Sequence, residues 1–313
     1  MIGNFHSAPI LLIVFNRPQK TRALVDRLME WSGLDILVAA DGPRNAAERG
    51  KCDAVRAIIA ELAARHRVQT RFSDVNLGCG ANVAGAITWA FAQRETLIII
   101  EDDIDITSEF LSFCNDGLDR YRDHSEIFCI SSGPLVNLNS SYSTLFLTRF
   151  PNIWGWASWR DRWAGYSLTL DGHSTKAIWR VLSDTFPSVT TRLYFLILLQ
   201  LMRTRRVDSW DFQLYFLAWA KSAFALIPSH NLAQNVGFDE EGTHMRRVPA
   251  NVGVVTATRM ALDLAQPIAL SNTYDQMIAR DVWRISLYRV LRFVIKYLIT
   301  RPARYSMLGG QTS

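Results

Sequence analysis

The sequence predicts an α/β protein built on a mostly parallel, doubly wound sheet. Short, almost wholly apolar runs alternate with helix-period segments across residues 8–135. These runs lack the strict polar–apolar alternation of a half-wet strand, so both faces of the sheet should be covered by helices. The chain has 313 residues, of which 49 % are hydrophobic and 20 % charged. A chain of that size buries about 75 % of its unfolded surface and needs no disulfides to fold. With 17 Gly, 10 Pro and aromatic residues throughout, collagen-like and disordered classes are excluded.

The elements follow in order. Ile10–Phe15 reads as a buried strand, and Gln19–Trp31 as a helix with Pro18 suited to its first turn. Asp35–Ala40 is the second strand. Ala46–Arg65 is a helix presenting Val55, Ile58, Ile59 and Leu62 on one face. Val68–Phe72, Thr96–Ile100 and Ile127–Ser131 are further strands, separated by helices over Asn82–Gln93 and Glu109–Arg122. This βαβαβαβαβ order implies a parallel sheet. Residues 136–270 read as a continuation of the same domain. They hold a short strand near Phe146–Thr148, helices over Thr175–Thr185, Val189–Arg203 and Trp210–Ala220, a strand at Phe224–Ile227 and a loop at Asn231–Met245. Residues 275–304 form a basic amphipathic tail helix.

Charge and cysteine content narrow the class. The net charge is +5, and residues 280–304 alone carry seven Arg or Lys against Asp281. Basicity confined to a tail is not the spread face of a nucleic-acid-binding protein, and no nucleic-acid partner is expected. On a helical wheel Trp283, Leu287, Val290, Val294 and Tyr297 fall on one side, and Arg289, Arg292 and Lys296 on the other. An anionic membrane surface and simple docking onto the body explain this pattern equally. Arg203, Arg205 and Arg206 would add to such a surface. The four cysteines, at 52, 79, 114 and 129, have no metal-ligand spacing and read as free thiols. No secretory signal is visible, and the longest apolar run, Leu193–Met202, is about half a membrane span. The expected location is cytoplasmic, at most peripheral at the inner face of a membrane.

Open α/β sheets bind ligands at the carboxyl ends of their strands. The residues there are distinctive. Glu101-Asp102-Asp103 follow the fourth strand. Three acids at a sheet edge need a cation or donors to compensate them, and hard divalent ions take carboxylate and phosphate oxygens. The plainer alternative is a solvated loop before the next helix. Arg17 and Arg44 follow the first and second strands and suit phosphate or a planar base. Arg44 reads equally as a surface arginine. Asp41, before Gly42-Pro43, either forms a turn or accepts from a base. No glycine-rich fingerprint follows the first strand, which disfavours a dinucleotide-binding domain, and no P-loop is present. The acids follow the wrong strand for a receiver domain.

Taken together, ILLIVFNRPQKTRAL, VAADGPR and IIIEDD resemble the glycosyltransferase A fold. The Glu101-Asp102-Asp103 form of the motif is similar to the N-acetylglucosaminyltransferase I-like family and its bacterial relatives. GWASWRDRW (155–163), SWDFQ (209–213) and QNVGFDEEGTH (234–244) are similar, in order, to that family's donor-pocket, catalytic-acid and donor-covering segments. The resemblance covers residues 10–245 and implies a nucleotide-diphosphosugar donor, with UDP favoured. It also implies a glycan or lipid-linked acceptor and a Mn²⁺ or Mg²⁺ cofactor. Asp103 would bind the metal, Asp102 the ribose and Glu101 the sugar or the turn. Asp41 would meet the base and Arg17 the nucleotide. Gly155 and Trp156 would line the donor pocket, and Asn235 and His244 would sit in the loop closing over it. Asp211 would be the general base, with helix capping as its plain alternative; Asp208 is better placed to cap. Trp210 departs from the family's first acid, and Thr243 and Met245 from the residues flanking its histidine.

The implied reaction is metal-dependent, inverting glycosyl transfer in surface polysaccharide or lipopolysaccharide synthesis. A sugar-nucleotide nucleotidyltransferase would show glycines after the first strand. A non-catalytic glycan- or membrane-binding protein would not need the intact acidic triplet. The tryptophans at 154, 156, 159 and 163 divide between a sugar-stacking wall and plain core packing, the latter for at least two of them.

Overall fold

The computed structural model describes residues 7–138, 144–237 and 268–299. Strands β1 (Ile10–Val14), β2 (Asp35–Ala40), β3 (Arg67–Phe72) and β4 (Thr96–Glu101) alternate with helices α1 (Pro18–Leu28), α2 (Ala46–Ala60) and α3 (Cys79–Phe91). A short β5 (Ile104–Ile106) precedes α4 (Ser108–Arg120), β6 (Ile127–Ser131), β7 (Leu145–Thr148) and β8 (Trp156–Trp159). Next come the single turn α5 (Arg160–Trp163) and helices α6 (Thr175–Thr185), α7 (Val189–Arg203) and α8 (Asp211–Ala220). Strands β9 (Phe224–Pro228) and β10 (Ala233–Asn235) and helices α9 (Asn272–Met277) and α10 (Leu287–Ile299) complete the described strands and α-helices.

The main sheet has eight strands in the order β3-β2-β1-β4-β8-β6-β9-β7. β1 pairs in parallel with β2 and β4, and β6 with β9. β8 enters antiparallel between β4 and β6, and β7 closes the far edge antiparallel to β9. The mostly parallel, helix-flanked sheet is therefore the predicted class.

Alternate side chains of each central strand feed two separate cores. Leu11, Ile13, Leu37, Ala39, Leu97 and Ile99 face a layer containing α3, α6, α7 and α8. Ile10, Leu12, Val14, Ile36, Ile98 and Ile100 face α1, α2 and α4. Burial on both sides explains why these strands read as unbroken apolar runs. β3 does not obey that pattern. It is an edge strand, RVQTRF, with four of its six residues exposed, and the exposed charge of Arg67 helps to protect its open edge.

Helix starts follow their local chemistry. Pro18 opens α1, and the Asn45, Thr107, Ser174 and Ser188 side chains accept from the first turns of α2, α4, α6 and α7. Capping corrects one expectation. Asp208 does not cap α8; its carboxylate accepts from the amides of Cys79 (3.0 Å) and Gly80 (2.9 Å), at the start of α3. Three strands escaped the sequence reading: β5, β8 and β10, each only three or four residues long.

Candidate active site

The parallel pairing brings the ends of β1, β2 and β4 together. Asp102 N donates to Ile13 O (3.1 Å), and Phe15 N donates to Asp102 Oδ2 (3.4 Å). The residue after each strand is thus fixed to its neighbour's backbone. Arg17, entering α1, reaches across: its Nη1 lies 2.7 Å from Asp103 Oδ2 and 3.3 Å from Asp102 Oδ1. All three side chains are largely buried, at 14 % exposed for Arg17, 6 % for Asp102 and 16 % for Asp103.

The cluster carries more negative charge than its cations offset. Burial pushes Glu101 up to about 8, with Asp103, Asp102 and Asp211 adding to the push and Arg17 opposing it. Burial likewise raises Asp102 to about 7, against the pull of Arg17 and Lys20.

Asp211 belongs to the same electrostatic neighbourhood although it lies far along the chain. It is the first residue of α8, and the Ser209 hydroxyl donates to its Oδ1. Its charge also opposes ionisation of Cys79 and Tyr166, both of which burial alone already raises. Tyr166 donates to Trp210 O (2.9 Å) and stacks on Trp163 at 4.1 Å, so the residue before Asp211 is held from the side.

The two-stranded β5–β10 ribbon brings the late loop to the acids. Asn235 pairs with Ile104, and Val236 N donates to Asp103 O (2.8 Å). Gly237 follows, its N donating to Asn235 Oδ1 (2.7 Å). A Cβ at Gly237 would stand 2.2 Å from Asp103 Oδ2, so any larger residue there would have to push that carboxylate aside. Gly155 is near the same ribbon in the left-handed region, with φ +81°. Its close contacts are Phe110, Ala233 and Ile104.

Other expected residues have structural tasks. Asp41 is buried, and its carboxylate accepts from Gly42 N (2.8 Å), Leu77 N (2.8 Å) and Asn76 Nδ2 (2.9 Å). It ties the end of β2 to the loop that enters α3, and burial raises its pKa. Arg44 lies on the rim, paired with Glu48, its guanidinium 5.4 Å from the centre of the Phe15 ring. Trp156 is 1 % exposed and stacks on Trp210 with ring centres 6.1 Å apart. It has no open face, so it supports the site from beneath. Trp159 and Trp163 are buried too, and Trp154 is half-buried. His244 lies outside the described residues.

The structure thus joins Arg17, Asp102 and Asp103 directly, Glu101 and Asp211 through their charges, and Asn235 through the ribbon. Sequence reasoning missed Asn76, Ser209, Tyr166 and Gly237, and gave Asp208 to the wrong helix. Ser209 and Gly237, inside quoted motifs, were the ones that left a visible signal. Hard divalent cations need only one or two protein carboxylates when phosphate and water complete their shell. Asp103 suits that role, since Arg17 takes Oδ2 and Oδ1 has no hydrogen-bond partner among the described residues. Among those residues no group of three or more His, Cys, Asp or Glu is assembled to hold a metal unaided.

No known family profile matches the chain, and no curated protein is similar to it. Solved structures share a general likeness. One is a UDP-glucose pyrophosphorylase complexed with UDP-glucose: 11 % identity, TM-score 0.37, covering 75 % of this chain and 95 % of that one. Another is a mannosyltransferase from Pyrobaculum calidifontis in complex with GDP-Man and Mn²⁺: 12 % identity, TM-score 0.39, 69 % and 70 % covered. A third is the glycosyltransferase GlyE of Streptococcus pneumoniae TIGR4: 10 % identity, TM-score 0.38, 96 % and 66 % covered. At such identities the role of every residue must be argued from this chain.

Proposed function

We propose that the protein is a glycosyltransferase that moves a sugar from a nucleotide-diphosphosugar to a glycan or lipid-linked acceptor, with inversion at the transferred carbon. The observation that carries the reading is the cluster at the carboxyl end of β4. Two largely buried carboxylates, Asp102 and Asp103, share one arginine from the end of β1, Arg17. The motif resemblance supports a UDP-sugar donor and a role in surface polysaccharide or lipopolysaccharide synthesis.

Cleaving a sugar–diphosphate bond leaves negative charge on the departing diphosphate. Arg17 is placed to meet that charge with a planar, permanently ionised group. A divalent cation held by Asp103 would supply Lewis-acid stabilisation of the same charge. Asp102, anchored to the β1 backbone, orients Arg17 and is positioned for a ribose hydroxyl. Asn235 and Gly237 close over Asp103 and limit water. Asp211 takes the acceptor hydroxyl's proton as its oxygen attacks the sugar carbon. Attack opposite the leaving diphosphate inverts that carbon.

The test is a thermal-shift screen with UDP, GDP, CDP and dTDP, each with and without Mn²⁺. A metal-dependent rise with one nucleotide is expected, about 2.7 kcal/mol of stabilisation at 100 times the dissociation constant. A flat response to all four would overturn the proposal.

A further inference from the structure

We propose that α10 is an interfacial helix that seats the protein on an anionic lipid bilayer. The helix has two apolar edges, and only one is used internally. Val290 is buried and the Phe293 ring packs 5.1 Å from Tyr194 on α7, so this edge docks on the body. A second edge faces away. Leu287, Leu291, Ile295, Leu298 and Ile299 are 56–74 % exposed, and Tyr288 is 68 % exposed. They recur at helical spacing and make one stripe. Such a contiguous patch marks an interaction surface.

Charge selects the occupant. Arg284 has no carboxylate partner among the described residues, and Arg292 lies 5.8 Å from the centre of the Tyr288 ring. Arg280 and Arg284 also line an open cleft of about 720 Å³ beside Ser188, Thr190 and Thr191. In sequence, residues 280–304 carry a net charge of +6. A second copy of this chain would oppose these cations to themselves across a two-fold axis, which repels. An anionic headgroup layer instead meets the arginines while the stripe enters the acyl boundary. α10 has 13 residues, and no helix among those described is long and apolar enough to cross a membrane. The helix therefore lies on the surface.

The helix is tied to the candidate active site through its docking layer. The Trp283 ring, just before α10, packs 5.1 Å from Phe212, the neighbour of Asp211. The inference does not depend on the proposed reaction, and a lipid surface can be tested without substrate.

The experiment is co-sedimentation of the full chain with vesicles of phosphatidylcholine alone and of phosphatidylcholine mixed with phosphatidylglycerol. Binding to the mixed vesicles only is expected, weakening as salt is raised. Leu291→Glu with Ile295→Glu should abolish it while leaving circular dichroism and melting temperature unchanged, since both side chains are exposed. Arg284→Glu should weaken binding by at least roughly fivefold, the value of one cation near the surface. Absent binding, equal binding to both vesicle types, or binding untouched by the stripe substitutions would overturn the proposal. So would a dimer, seen by sedimentation velocity, that the same substitutions dissolve.

Discussion

Arg17 sits between two carboxylates that outnumber it, and this sets what single substitutions at the site should do. Asp103→Asn should keep the fold, because its backbone oxygen still accepts from Val236. The same variant should lose the metal-dependent nucleotide shift. Asp211→Asn should retain donor binding and lose about 10²–10⁴ in transfer rate, measured as kcat under saturating donor. Transfer at the normal rate would remove Asp211 from the base role. Away from the site, His66 sets a pH limit. Leu34 N donates to its Nδ1 (3.3 Å), and burial lowers its pKa from 6.5. The unfolded chain then takes up the proton first, so the histidine's contribution to stability is present above about pH 6.5 and is lost as pH falls. His66→Asn should flatten the acid limb of a stability–pH curve; an unchanged slope would rule this out.

Elements show how the site is held. Asp208 caps α3 rather than α8, so the loop 76–80 is pinned at one end by Asp41 and at the other by Asp208. Asp208→Ala should cost about 1 kcal/mol by denaturant titration. The β5–β10 ribbon is the other clamp. Gly237→Ala should displace the Asp103 carboxylate and remove the nucleotide shift with little change in melting temperature. Much of this was legible in sequence and some was not. Apolar runs announced the six strands that share one direction, except that the polar edge strand β3 was read as buried. Helices α6, α7 and α8 matched their periodic segments to within a residue. The short strands β5, β8 and β10 carry too few residues for a period to show, and their partners are distant in sequence. Asp208 misled because proximity along the chain favoured α8, whereas tertiary packing gave it to α3. For α10 the wheel placed Leu287 with Val290. The structure docks Val290 and leaves Leu287 exposed.

At the scale of the whole molecule, the expected halves 8–135 and 136–270 share one sheet. β8, from the second, fills the gap between β4 and β6 of the first. We therefore expect one cooperative thermal transition. Two resolved transitions by calorimetry would instead support separate folding of the halves. The far edge is stapled by Asp275 of α9, which accepts from Thr148 Oγ1, from Arg149 N (3.2 Å) and from Arg149 Nη1 (2.7 Å). Asp275→Ala would leave Arg149 with only the Asn272 side-chain oxygen (2.9 Å) in place of its carboxylate partner and should cost about 1–3 kcal/mol.

The insertion of β8 also has a meaning in time. Residues 96–131 emerge from a ribosome well before Trp156–Trp159, so β4 must wait with one edge open and β6 with both, since β9 comes later still. Pairing across such sequence distance is slow, because loop closure comes before any reward. During that wait the apolar run of β4, which leads into the acidic triplet, is a template for pairing with another nascent chain. Chains arrested before residue 156 should aggregate or recruit chaperones, whereas chains extended past β9, which completes β6 and follows the α6–α8 layer, should gain protease resistance in a single step.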